Sequence, residues 1–177
     1  MARSDWRRMV RWWGWSKSWW GEGRRRLLAR APRTCWEDDD RSMDLLALNG
    51  SPKTDGTVAA LLDEVTRAAK EGGARTERVD VYGLQVAPCI GCMACRPDKE
   101  CVLEEDDAHV MARKLPECDG LVVATPTYWA NMSSPLKALF DRIVPAIMGE
   151  CDKGLPVPRH QGKPAVIVTA CTTPWPF

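Results

Sequence analysis

The stretch DLLALNGSPKTDGTVAALLDEVTRAAKEGG, Asp44 to Gly73, decides the fold class. It opens with a short apolar run ending in Asn49-Gly50, the pattern of a strand buried in a parallel sheet. A polar turn follows. Val58, Leu61, Leu62, Val65, Ala68 and Ala69 then recur at helical spacing until Gly72 and Gly73 stop the helix. Outward from this unit the alternation repeats. A strand is expected at 76–81, and a helix opening at Asp106 and Asp107 and running to about Leu115. DGLVVATPTYW at 119–129 reads as a third strand with its loop. Ser134 reads as an N-cap and Pro135 as the first residue of a helix with Leu136, Leu139, Phe140, Ile143 and Ile147 on one face. PAVIVTA at 164–170 is the fourth strand, and Met148 to Gln161, rich in Gly and Pro, is expected to be a long loop. Strand-helix alternation of this kind predicts an α/β fold, a doubly wound parallel sheet in three α/β/α layers. Because the sequence stops just after an apolar strand, the fold is expected to be C-terminally shortened, without its last helix and strand.

At 177 residues and 45% hydrophobic, the chain has material for one domain and an appendage. The net charge of +1 hides an asymmetry: residues 1–42 carry most of the excess cations and seven of the nine tryptophans. Arg11, Lys17 and Arg24 to Arg26 interrupt every apolar run there, which excludes a signal peptide or a membrane span. A membrane-surface or nucleic-acid arm is the functional alternative, set aside because unpatterned charge runs are commonly solvated. Residues 1–42 are therefore expected to be a disordered Trp/Arg-rich extension, an upstream-start artefact, before a domain at 43–177, with no nucleic-acid or membrane partner. Eight cysteines without a secretory signal point to a reducing, cytoplasmic setting in which thiols bind metal or do redox work.

Two loops carry nucleotide-binding character. In NGSPKTDGT, the hydroxyls of Ser51, Thr54 and Thr57, the Lys53 cation and the amides opening the helix at Gly56 can surround a phosphate. No Lys-Ser/Thr follows the last glycine and there is no G-x-G-x-x-G, so a mononucleotide fits better than an NTPase or dinucleotide site. In the loop after strand three, Pro126, Thr127, Tyr128, Trp129 and Asn131 offer flat apolar faces and amide contacts; Thr169 to Thr173, including Thr172, would form a third wall. In open parallel sheets ligands bind outside the carboxyl ends of the strands, where strand order reverses, which brings these loops together.

CIGCMACRPDKEC places Cys89, Cys92, Cys95 and Cys101 at spacing C-x2-C-x2-C-x5-C. Three closely spaced thiolates and a fourth within reach suit a [4Fe-4S] cluster. Metal-free thiols and zinc are the alternatives, zinc having only His109 and His160 for a mixed site. Asp98, Lys99 and Glu100 fit an exposed tip, and the loop, following strand two, is expected on the same rim as the other two. Cys35, Cys118, Cys151 and Cys171 have no spacing and no assigned role, and both histidines are expected at the surface. No acid-base residue is proposed.

Together GSPKTDGT, the cysteine run with Asp106 and Asp107 behind it, and TPTYWANMSSPLKALFDR resemble the flavodoxin-like NAD(P)H-dependent FMN reductases, especially their iron-sulfur flavoprotein branch. The resemblance implies FMN, with Ser51, Lys53 and Thr57 at its phosphate and Pro126, Thr127, Tyr128, Trp129 and Asn131 along its ring. It further implies NAD(P)H or a reduced carrier as donor, a small molecule or redox protein as acceptor, and a homo-oligomer. One departure is local: Asp55-Gly56-Thr57 stands where the family often has Gly-Asn-Thr, which sets an anion beside the phosphate position. A non-catalytic flavin/iron-sulfur electron carrier and a zinc-stabilised module with a vestigial flavin site are the competing functions.

Overall fold

The computed structural model describes residues 42–96 and 99–172; residues 1–41, which hold nearly all of the expected extension, and Asp98 and Thr173 lie outside them. Four parallel strands form the main sheet: β1 (Asp44–Asn49), β2 (Arg75–Asp80), β3 (Gly120–Pro126) and β6 (Ala165–Ala170). Their order is β2-β1-β3-β6. β1 pairs Leu46 with Glu77 on one side and with Leu121 on the other, and β3 pairs Val122 with Val166.

The crossovers are helical. α1 (Thr57–Glu71) joins β1 to β2, and α2 (Asp107–Glu117) joins β2 to β3 through a long cysteine-bearing loop. α3 (Ser134–Arg142) and the short α4 (Val144–Ile147) follow β3. The pleat of β1 explains the layering, because alternate side chains go to opposite faces. Leu46 and Leu48 pack with Val123, Met111, Leu115, Leu136, Leu139 and Ile143 beneath α2 and α3. Ala47, Val122 and Ala124 pack with Val58 and Leu62 beneath α1. Helices therefore cover both faces, the α/β/α sandwich expected from the alternation. Ile167 of β6, by contrast, is 76% exposed, next in register to buried Val123.

Three boundaries differ from the sequence reading. The N-cap of α3 is Ser133, not Ser134, and Pro135 is the second helical residue; Ser133 donates its amide to Thr125 Oγ1, which leads the chain into the helix one residue early. α3 ends at Arg142, so Ile147 belongs to the separate α4. The stretch expected to be all loop contains an antiparallel hairpin, β4 (Met148–Glu150) with β5 (Pro156–Pro158). The prolines escape the usual penalty because they stand at the ends of a two-stranded edge pair.

Candidate functional site

Parallel strands send their carboxyl ends to one rim, and adjacency of β1, β3 and β6 puts their following loops side by side. The first two are tied directly: Gly50 donates its amide to the Ala124 carbonyl at 2.7 Å. A Cβ at Gly50 would lie 2.8 Å from Leu136 Cδ2, so only glycine lets the backbone pass this close to α3. Buried Asn49 then organises the turn. Its Oδ1 accepts from Ser51 N, and its Nδ2 donates to Asp80 Oδ1 at 2.7 Å. Arg78 grips the same loop, donating to the Thr54 carbonyl at 2.9 Å while paired with Asp80 and Asp63.

Ser51 is buried and its Oγ accepts from Lys53 N, which leaves the hydroxyl proton available to a further acceptor. Lys53, Thr54 and Thr57 are exposed, and Gly56 caps α1 without any side chain bonding the first-turn amides. An uncapped helix start beside a hydroxyl and a lysine is anion-binding chemistry, so the residues present fit a phosphate.

After β3 the backbone makes a tight two-residue turn. Tyr128 and Asn131 exchange amide-carbonyl hydrogen bonds, and Trp129 and Ala130 between them take φ of 50° and 60°. Left-handed geometry at two non-glycine residues is strained. Its effect is to push the indole outward: Trp129 is 102% exposed and Tyr128 nearly half exposed, so neither is sheet-edge packing. Thr127 joins this loop to β6 through its amide on the Ala170 carbonyl and its hydroxyl 2.6 Å from Thr169 Oγ1. Pro126 ends β3, and exposed Thr172 follows β6 on the same rim. The sequence-named nucleotide residues are thus collected along one edge.

The four loop cysteines line a single cavity of about 200 Å³ with Ile90, Val102, Leu103 and Arg142. Positive φ at Gly91 and Met93 coils the first part, and the Gly91 amide donates to Cys89 Sγ at 3.4 Å. Among the described residues no three metal-ligating side chains converge on one point. A donor set of four soft sulfurs spread around a cavity fits a multi-atom cluster better than one zinc ion. The loop leaves β2 at the common rim, but the cavity is walled by Asp141, Arg142 and Val144, at the far end of α3 from Tyr128 and Trp129.

What holds the cavity was not visible in the sequence. His109, expected at the surface, is only 8% exposed and bridges Asp106 to the Cys101 carbonyl. Arg142 is buried on the apolar face of α3 and forms a two-pronged pair with Asp106 at 2.8 and 3.0 Å. The only signal was a charged residue three positions after Leu139. Cys118 is a buried small side chain whose Sγ donates to the Leu115 carbonyl, and burial pushes its thiol pKa up, which suits a packing role.

Asp80 and Asp106 both have pKa values held below the ordinary carboxylate range. Burial opposes this, but Asn49 and Arg78 outweigh it at Asp80, and the Ala87 amide and Arg142 outweigh it at Asp106. A carboxylate depressed in the folded state stabilises above its unfolded pKa of about 4, and that stability is lost as pH falls through the folded value. Urea midpoints are accordingly expected to be lower at about pH 3 than at about pH 6, with a smaller difference in Asp106→Asn.

Residues 43–174 match the sequence pattern of the NADPH-dependent FMN reductase family. The chain belongs to that family. Among curated relatives, this FMN reductase family member is 37% identical over 102 residues to an iron-sulfur flavoprotein of Methanosarcina thermophila, covering 58% of this chain and 53% of the other. It is 33% identical over 107 residues to one from Methanocaldococcus jannaschii, covering 60% and 55%. The chain thus spans about half the length of these curated relatives. In structure it is similar to an NAD(P)H:quinone oxidoreductase of Methanothermobacter marburgensis, with TM-score 0.62, 19% identity and coverage of 76% and 70%. An FMN-dependent NADH-azoreductase of Bacillus anthracis gives TM-score 0.58 at 13% identity, covering 77% and 72%. These likenesses establish the flavodoxin-like fold of the family member. No helix among its described residues is long and apolar enough to cross a membrane.

Proposed function

We propose that the chain carries the FMN site of an oxidoreductase that moves electrons from NAD(P)H or a reduced carrier to a small molecule or redox protein, with a [4Fe-4S] cluster in the cysteine loop. The observation that carries this reading is the convergence of the loops after β1, β3 and β6 on one rim, together with a four-thiol cavity beside the end of α3. Ser51, Lys53, Thr54, Thr57 and the α1 amides from Gly56 onward would hold the phosphate. Pro126, Thr127, Tyr128, Trp129, Asn131 and Thr172 would border the ring, and Cys89, Cys92, Cys95 and Cys101 would bind the cluster.

When bound, FMN supplies acceptance of a hydride and release of single electrons, while a cluster carries one electron at a time. The protein's own part is to hold and orient. Asn49 and Arg78 fix the phosphate turn, and the strained Trp129-Ala130 turn keeps an indole displayed outward. Such a bare aromatic surface fits coverage by a second copy of the chain, so a homo-oligomer belongs to the same reading.

Anaerobically purified protein is expected to contain FMN, iron and sulfide, and its flavin absorbance is expected to bleach on addition of NADH or NADPH. Bleaching with neither donor while flavin and iron are present would favour the electron-carrier role. Zinc without flavin or iron would overturn the proposal.

A further inference from the structure

We propose that Arg142 is a positioning residue of the cysteine cavity, anchoring the buried cluster that closes the loop at both ends and offering its unpartnered Nε–H to sulfur held inside. This rests on reading the loop as an iron-sulfur site and adds a residue that no cysteine motif contains.

The loop is clasped on either side of its thiols. Before Cys89, the Ala87 carbonyl accepts from Arg142 Nη1 at 2.7 Å, and the Ala87 amide donates to Asp106 Oδ2 at 2.9 Å. At its other end, the Cys101 carbonyl lies 3.1 Å from His109 Nε2. His109 Nδ1 accepts from the Asp106 amide in the capping box of α2, so Nε2 is the protonated nitrogen that donates to Cys101. Asp106 is the common partner, and Arg142 holds it with both Nη atoms. One buried cluster thus joins the entry of the loop, its exit and the start of α2.

Arg142 has capacity left over. Its side chain is wholly inaccessible to solvent, yet Nε has no hydrogen-bond partner among the protein atoms. The same residue lines the cavity with all four thiols. A buried donor without an acceptor is costly, and thiolate or cluster sulfur is the acceptor chemistry that this cavity collects. Lysine cannot substitute, because the planar fork that grips Asp106 and Ala87 while leaving Nε over belongs to guanidinium alone. Hydrogen bonds to sulfur raise a cluster's reduction potential, so this donor sets the potential as well as the loop.

The full chain and Arg142→Lys are reconstituted anaerobically with iron and sulfide, then assayed for iron content, cluster reduction potential and FMN affinity. The wild type is expected to load iron. Arg142→Lys is expected to bind FMN as the wild type does, to load several-fold less iron, and to show a lower potential in the fraction that loads. Equal loading and equal potential overturn the role of Arg142. A wild type that binds FMN but takes up no iron instead removes the iron-sulfur reading beneath it. Should Arg142→Lys fail to fold, wild-type protein labelled with 15N at arginine Nε provides the second measurement. A nitrogen coupling to the reduced cluster in pulsed EPR that persists in Arg96→Lys supports the proposal, and its absence overturns it.

Discussion

Asp106→Ala is expected to destabilise the protein by about 3–5 kcal/mol, because it leaves the Arg142 cation buried without its partner. Loss of the N-cap of α2 adds about 1 kcal/mol. For a domain of this size that corresponds to a fall in Tm of roughly 10–20 °C. The contrast lies within the same molecule: Lys137 and Asp141 form an exposed i,i+4 pair on α3. Asp141→Ala is expected to change stability by less than about 0.5 kcal/mol, since exposed helix pairs contribute little. Adding Arg142→Met to Asp106→Ala removes the stranded charge and is expected to restore part of the loss. Thermal melts of the four proteins decide the matter; an Asp106→Ala melt that coincides with Asp141→Ala would show that the buried pair has no special weight.

Ser51→Ala is expected to weaken FMN binding by about 10- to 150-fold, the equivalent of one hydrogen bond to a charged group at ~1.5–3 kcal/mol. Riboflavin, which has the same ring and no phosphate, is expected to bind variant and wild type alike. Ser51 is suited to this contrast because its oxygen already accepts from Lys53 N and has a proton to give. Fluorescence titration with both flavins measures it. An equal loss for FMN and riboflavin would move Ser51 away from the phosphate and into general upkeep of the turn.

The sheet was legible because its signals are local. Leu46, Leu48 and Ala47 alternate within one strand, and the helical spacing from Val58 to Ala69 lies within a few turns. The two nucleotide loops could be placed on one rim because parallel strands leave no other choice. Arg142 was not legible, since its partners Ala87 and Asp106 lie far away in the chain and a lone cation near a helix end usually reaches solvent. The same holds for His109, whose burial depends on the Cys101 carbonyl, and for Arg78, which reads as a surface strand residue until Thr54 is folded against it. The β4–β5 hairpin was hidden by its own composition, because Pro156 and Pro158 argue against a strand unless the pairing is known.

The clasp around Ala87 and Cys101 bears on when the loop loses its freedom. In small zinc modules the unligated chain is unfolded, so ordering and metal capture are one event. Here a segment of roughly a dozen residues is already cyclised by the protein's own hydrogen bonds, and its closure entropy is met during folding of the sheet and helices. If the loop holds the proposed cluster, its oxidative loss would leave a folded, refillable vessel rather than a denatured chain, and repair would be a matter of resupplying iron and sulfide.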